Sequence, residues 1–160
     1  MNKSLPSDLP RSKSITISAD TQKLDTVLDF VNAPLDALGV PEEEKTVLDI
    51  AVEEIYVNIA LYAYEPGRGP VTLEWKLEQD PISIQIDFKD RGTPYDPLSR
   101  KDPDITLSAE ERQIGGLGIY MVRKSMDNVF YEYRDGQNCF TMKKILFPSQ
   151  PKNEKEDPDQ

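Results

Sequence analysis

Two stretches of this chain alternate strictly: Val71, Leu73, Trp75 and Leu77, then Ile82, Ile84, Ile86 and Phe88, with Gln79-Asp80-Pro81 between them. A period of two puts every apolar side chain on one face, and so short a connection makes the pair an antiparallel hairpin. One apolar face has to be covered, and the upstream sequence supplies the cover as helices. Leu24, Val27, Leu28, Val31, Leu35 and Leu38 recur at steps of three and four, which predicts an amphipathic helix capped by Asp20 or Thr21, kinked at Pro34 and closed by Gly39. Pro41 followed by Glu42, Glu43 and Glu44 starts a second helix, because proline suits the first turn and carboxylates there oppose the dipole. Its stripe is Leu48, Ala51, Val52, Ile55, Ile59 and Tyr62, and it runs to about Tyr64, where Pro66-Gly67 ends it. Further strands are expected at Ser14 to Ser18, at Asn128 to Arg134 and at Asn138 to Phe147, the last two joined through Asp135-Gly136, a dipeptide of tight hairpins. The expectation is an α/β fold, of the α+β kind, with helices over one face of a largely antiparallel sheet.

At 160 residues one domain is expected. Polar, proline-containing ends, 1–13 and 148–160, read as tails without fixed structure around an ordered part at 14–147. No apolar run approaches the length of a membrane span and no secretory signal opens the chain, so a cytoplasmic protein is expected. With one cysteine, Cys139, and no histidine, an internal disulfide, the usual zinc sites and Ser-His or Cys-His nucleophile pairs are excluded. A formal charge of −10 opposes non-specific nucleic-acid binding. It leaves room for a small phosphate ligand held by backbone amides and a divalent cation.

The stretch Gln113 to Lys124 carries Gly115, Gly116 and Gly118 directly into an apolar helical run. Exposed amides at a helix start attract phosphate, although such glycines also cap helices and serve loops that bind nothing. Residues 91–113 lack a period and contain Gly92, Pro94, Pro97 and Pro103, which suggests a lid joining a strand end to the glycines. On the second helix, Glu54 and Asn58 fall on adjacent turns at the border of the apolar stripe, roughly 6 Å apart along the axis. A carboxylate and an amide oxygen so placed can serve a proton transfer and a Mg²⁺ ion; alternatively Glu54 faces solvent and Asn58 bonds a loop. Asp90-Arg91-Gly92 at the end of the hairpin can accept a flat donor beside a glycine, or can be a simple Asp-x-Gly turn. Thr141 lies in a strand expected to face the same region.

In this order the pieces resemble the ATP-binding domain of the GHKL superfamily, and within it the RsbW-like anti-sigma-factor serine kinases. Glu54-Ile-Tyr-Val-Asn58 is similar to the first motif, Asp90-Arg91-Gly92 to the second, with Tyr95-Asp96-Pro97 following, and Gly115-Gly116-Leu117-Gly118-Ile119 to the third. The resemblance spans about Ser14 to Phe147. It implies a two-layer sandwich with a mixed sheet, and ATP and Mg²⁺ as cofactors. It implies that Glu54 is the general base, that Asn58 holds Mg²⁺, that Asp90 reads adenine and that Gly92 admits it. Gly115, Gly116, Leu117 and Gly118 would wrap the phosphates, and Thr141 would support the adenine site. The implied partners are an anti-anti-sigma-like protein substrate, a sigma factor and, in a homodimer, a second copy. Tyr62, where many relatives have histidine, and Pro94, where the wider superfamily has glycine, depart from the pattern. Two activities fit these residues, phosphorylation of a protein partner and a nucleotide-dependent binding switch without transfer.

Overall fold

The computed structural model describes residues 4–99 and 117–148. Its elements are β1 (Ser12–Ser18), α1 (Leu24–Ala37), α2 (Glu42–Asn58), β2 (Pro70–Glu78), β3 (Ser83–Asp90), α3 (Leu117–Ser125), β4 (Asn128–Arg134) and β5 (Gln137–Ile145). The strands form one five-stranded sheet in the order β1-β2-β3-β5-β4. Every described pairing is antiparallel, so no parallel pair accounts for the mixed character expected of the sheet. Chain direction explains this. Two helices intervene between β1 and β2, so β2 returns opposite to β1. β3 and β4 run the same way, but β5 inserts between them.

Cross-strand register collects Leu73, Phe88 and Phe140 in one row, and Trp75, Ile86 and Met142 in the next. These residues are at most 4% exposed, and they meet Val27, Val31 and Leu35 of α1, Leu48, Val52 and Ile55 of α2, and Ile119 and Val122 of α3. The expected two-layer sandwich is therefore present, with α2 in the middle of the helical layer, against both α1 and α3. The opposite face of the sheet is polar. There Thr141 donates to Asp87 (2.6 Å), and Gln85 donates to the same carboxylate. No helix among the described residues is long and apolar enough to cross a membrane.

Local chemistry sets the boundaries. Asp20 accepts from the Gln22 amide (2.9 Å), opening a short turn that leads into α1. Gly39, at φ +67°, closes the helix as Val40 N–H returns to Leu35 O (3.0 Å). Asp135 and Gly136, both at positive φ, make the β4–β5 hairpin turn. Three expectations are corrected. The amino-terminal tail is not free from residue 4 onward: Leu5 is 6% exposed, its amide donates to Gln79 (2.6 Å), and Arg11 ties Pro6 O (2.9 Å). A single turn is too short to show a period, which hid this hook. β1 begins at Ser12 rather than Ser14. α2 stops at Asn58 and continues as a wider π-helical turn, Ile59–Ala63, rather than running as α-helix to Tyr64.

Tyr56 joins the layers. Its hydroxyl donates to Asp20 O (2.7 Å) and accepts from Asp20 N–H (3.1 Å), and burial raises its pKa above that of an ordinary tyrosine. Tyr56→Phe leaves two backbone groups without their partner and is expected to lower stability by about 1–2 kcal/mol in urea unfolding. An unchanged midpoint would mean that water replaces the hydroxyl.

Candidate active site

β3 sends Ile84, Ile86 and Phe88 into the core, so the same alternation turns Asp90 inward at the strand end. There the helical cover gives way to a cavity of about 790 Å³. Among the described residues its lining includes Glu54, Asn58, Ile59, Tyr62 and Ala63 from α2 and the turn after it, Asp90, Asn138 and Phe140 from the sheet, and Tyr95, Tyr131 and Ile119. The volume falls within the range of small-molecule sites.

Glu54 and Asn58 stand together as their spacing predicts, with Asn58 Nδ2 3.5 Å from Glu54 Oε1. The carboxylate also lies against the first turn of α3. A Cβ on Gly118 would come within 1.9 Å of Glu54 Oε1, so only glycine fits there unless Glu54 moves. This position, at the positive end of a helix dipole, favours negative charge. Gly115 and Gly116 lie outside the described residues, as do positions 100–113 of the expected lid; Leu117 begins α3. The described beginning of the lid is ordered into a turn, Pro97–Ser99, capped by Asp96 on the Leu98 amide (2.8 Å), and Arg123 of α3 donates to Leu98 O.

At the far end Asp90 is 5% exposed. Its Oδ1 accepts from Gly92 N–H (2.9 Å) and from Asn138 Nδ2 (2.9 Å). Among the described residues no donor bonds Oδ2, which is not one of the fully buried oxygens left without a partner. Gly92 does not line the cavity. It is a close-approach glycine, since a Cβ would lie 2.2 Å from Ala63 O, and the next residue, Thr93, donates to that same carbonyl (2.9 Å). Gly92→Ala therefore forces the strand end away from the π-helical turn. It is expected to cost about 1–3 kcal/mol, read as a lower urea midpoint; a midpoint equal to wild type would show that the junction yields freely.

Thr141 does not reach the cavity. It is three positions from Asn138 and lies on the polar face of the sheet, bonded to Asp87. The residue opposite Asp90 across the sheet is Asn138, which the sequence reading passed over. The signal was available: Phe140 and Met142 flank Thr141, and strict alternation sends residues 138, 140 and 142 inward together and Thr141 outward.

Among the described residues, the charged side chains lining the cavity are all acidic: Glu54, Glu65 and Asp90. A polyphosphate placed among them needs a cation to offset repulsion. No group of three or more His, Cys, Asp or Glu among the described residues could hold a metal alone. The donor set instead suits a Mg²⁺ ion, which takes one or two protein oxygens and fills its octahedron with phosphate and water.

Residues 17–144 match the histidine kinase-like ATPase domain family. The chain is 30% identical to the serine/threonine-protein kinase BtrW of Bordetella bronchiseptica over 95 residues, which cover 59% of this chain and 66% of that one. It is 31% identical to the serine-protein kinase RsbW of Listeria monocytogenes over 103 residues, 61% of this chain and 64% of that one. The chain thus spans just under two thirds of the length of these relatives. A crystal structure of the RsbU and RsbW domains of a Mycobacterium tuberculosis protein superposes with a TM-score of 0.59 at 16% identity, covering 87% of this chain and 34% of that chain, a likeness of fold.

Proposed function

The chain belongs to the histidine kinase-like ATPase domain family, and from that premise we propose that it is a Mg·ATP-dependent serine/threonine protein kinase acting on a small anti-anti-sigma-like protein. The observation that carries the proposal is the shared cavity, lined by Glu54 and Asn58 and by the buried Asp90 carboxylate, whose Oδ2 has no donor among the described residues. Asp90 Oδ2 accepts the amino group of adenine. Asn58 Oδ1 would hold Mg²⁺, and the motif Gly115, Gly116, Leu117 and Gly118 would, as its family resemblance implies, supply amides to the phosphates. Glu54 takes the proton of the partner's hydroxyl, for which a carboxylate within hydrogen-bond reach of the nucleophile is suited. Bound Mg²⁺ supplies neutralisation of the phosphate charge.

The same reading makes the protein an anti-sigma-type regulator of the cytoplasm, without direct nucleic-acid contact, whose other partners are a sigma factor and a second copy in a homodimer. Names of relatives support the kinase class. Incubation with γ-labelled ATP, Mg²⁺ and a partner recovered from the native cell tests it. Label is expected on a serine or threonine of the partner. Saturable ATP binding with no label on any partner would favour the binding switch instead.

A further inference from the structure

We infer that Asn138 is the positioning residue of the base end of the cavity, fixing Asp90 so that only Oδ2 faces a ligand. The inference rests on the proposal that Asp90 reads an amino group on a purine.

Every hydrogen-bonding group of the Asn138 amide is engaged. Nδ2, with two hydrogens for three acceptors, donates to Asp90 Oδ1 (2.9 Å) and shares its donation with the carbonyls of Thr93 (3.1 Å) and Gly92 (3.3 Å). Oδ1 accepts from Tyr95 N–H (3.1 Å) and from the Tyr131 hydroxyl. Donors on one side and acceptors on the other also fix which way the amide points. At 6% exposure, with no valence free, Asn138 has nothing to offer a ligand directly and acts through Asp90. A carboxylate held by the Gly92 amide alone can turn about its Cβ–Cγ bond. The second donor on the same oxygen removes that freedom, and the three bonds to residues 92, 93 and 95 hold the adjoining loop in register with it. A cavity ordered beforehand binds without the cost of ordering it.

The consequence is a discrimination that a merely structural residue would not carry. Calorimetric titrations of the full chain in Mg²⁺ compare ATP with purine riboside triphosphate, which lacks the 6-amino group. The wild type is expected to prefer ATP by roughly 10- to 100-fold, the range of a hydrogen bond to a charged acceptor. In Asn138→Ala that ratio is expected to fall below about threefold, because Asp90 no longer holds Oδ2 toward the base. Tyr131→Phe, which removes one hydroxyl from Asn138 Oδ1, is expected to reduce the ratio less, and it serves if Asn138→Ala fails to fold. A wild type that does not distinguish the two nucleotides would overturn the reading of Asp90 itself. A wild type that distinguishes them, with variants whose ratio is unchanged, would leave that reading standing and overturn the role of Asn138.

Discussion

Glu54→Gln is expected to slow phosphoryl transfer by about 10²–10⁴-fold, the usual contribution of a general base, while ATP still binds. Glutamine keeps the length and shape of the side chain, so the close fit against Gly118 and the contact with Asn58 survive. It cannot take a proton from a serine hydroxyl at neutral pH. Affinity should stay at or above the wild-type level, because the change removes one of the negative charges lining the cavity proposed to take the phosphates. Single-turnover transfer and equilibrium binding, measured on the same preparation, separate the two effects. Transfer within about tenfold of wild type would place the base elsewhere.

Asp90→Asn is expected to produce the converse, a loss of binding. An asparagine can still accept from Gly92 and Asn138 through its oxygen, so the strand end keeps its bonds. Its amide then meets the amino group of the base donor against donor. ATP affinity is expected to drop by roughly 100-fold, an acceptor lost and an unpaired donor gained, with little change in the urea midpoint. A destabilised protein that binds ATP normally would show that Asp90 is a structural carboxylate of the strand end and nothing more.

Fold and site were legible in the sequence to different depths, for physical reasons. The β2–β3 hairpin was readable because both strands bury one face and therefore alternate without exception. Asp90 was readable from the same alternation, being the next inward position after Phe88. Glu54 and Asn58 were readable because four residues is one helical turn. The π-helical turn after Asn58 left no mark, since Ile59 and Tyr62 continue an apolar stripe whichever way the backbone closes its hydrogen bonds. Asn138 was obscured by Thr141, a residue brought forward by family likeness although alternation with Phe140 and Met142 turns it to the other face. Gly92 was noticed for its conformational freedom, but the neighbour that demands it, Ala63 O on the π-helical turn, had no mark in the sequence.

A crystal structure of the chain with Mg²⁺ and a non-hydrolysable ATP analogue tests the central claim most directly. The account expects the adenine amino group on Asp90 Oδ2, Asn138 still bonded to Asp90 Oδ1, and the metal ligated by Asn58 with Glu54 beside the terminal phosphate. A nucleotide bound elsewhere, or one whose base leaves Asp90 Oδ2 without a partner, would contradict it.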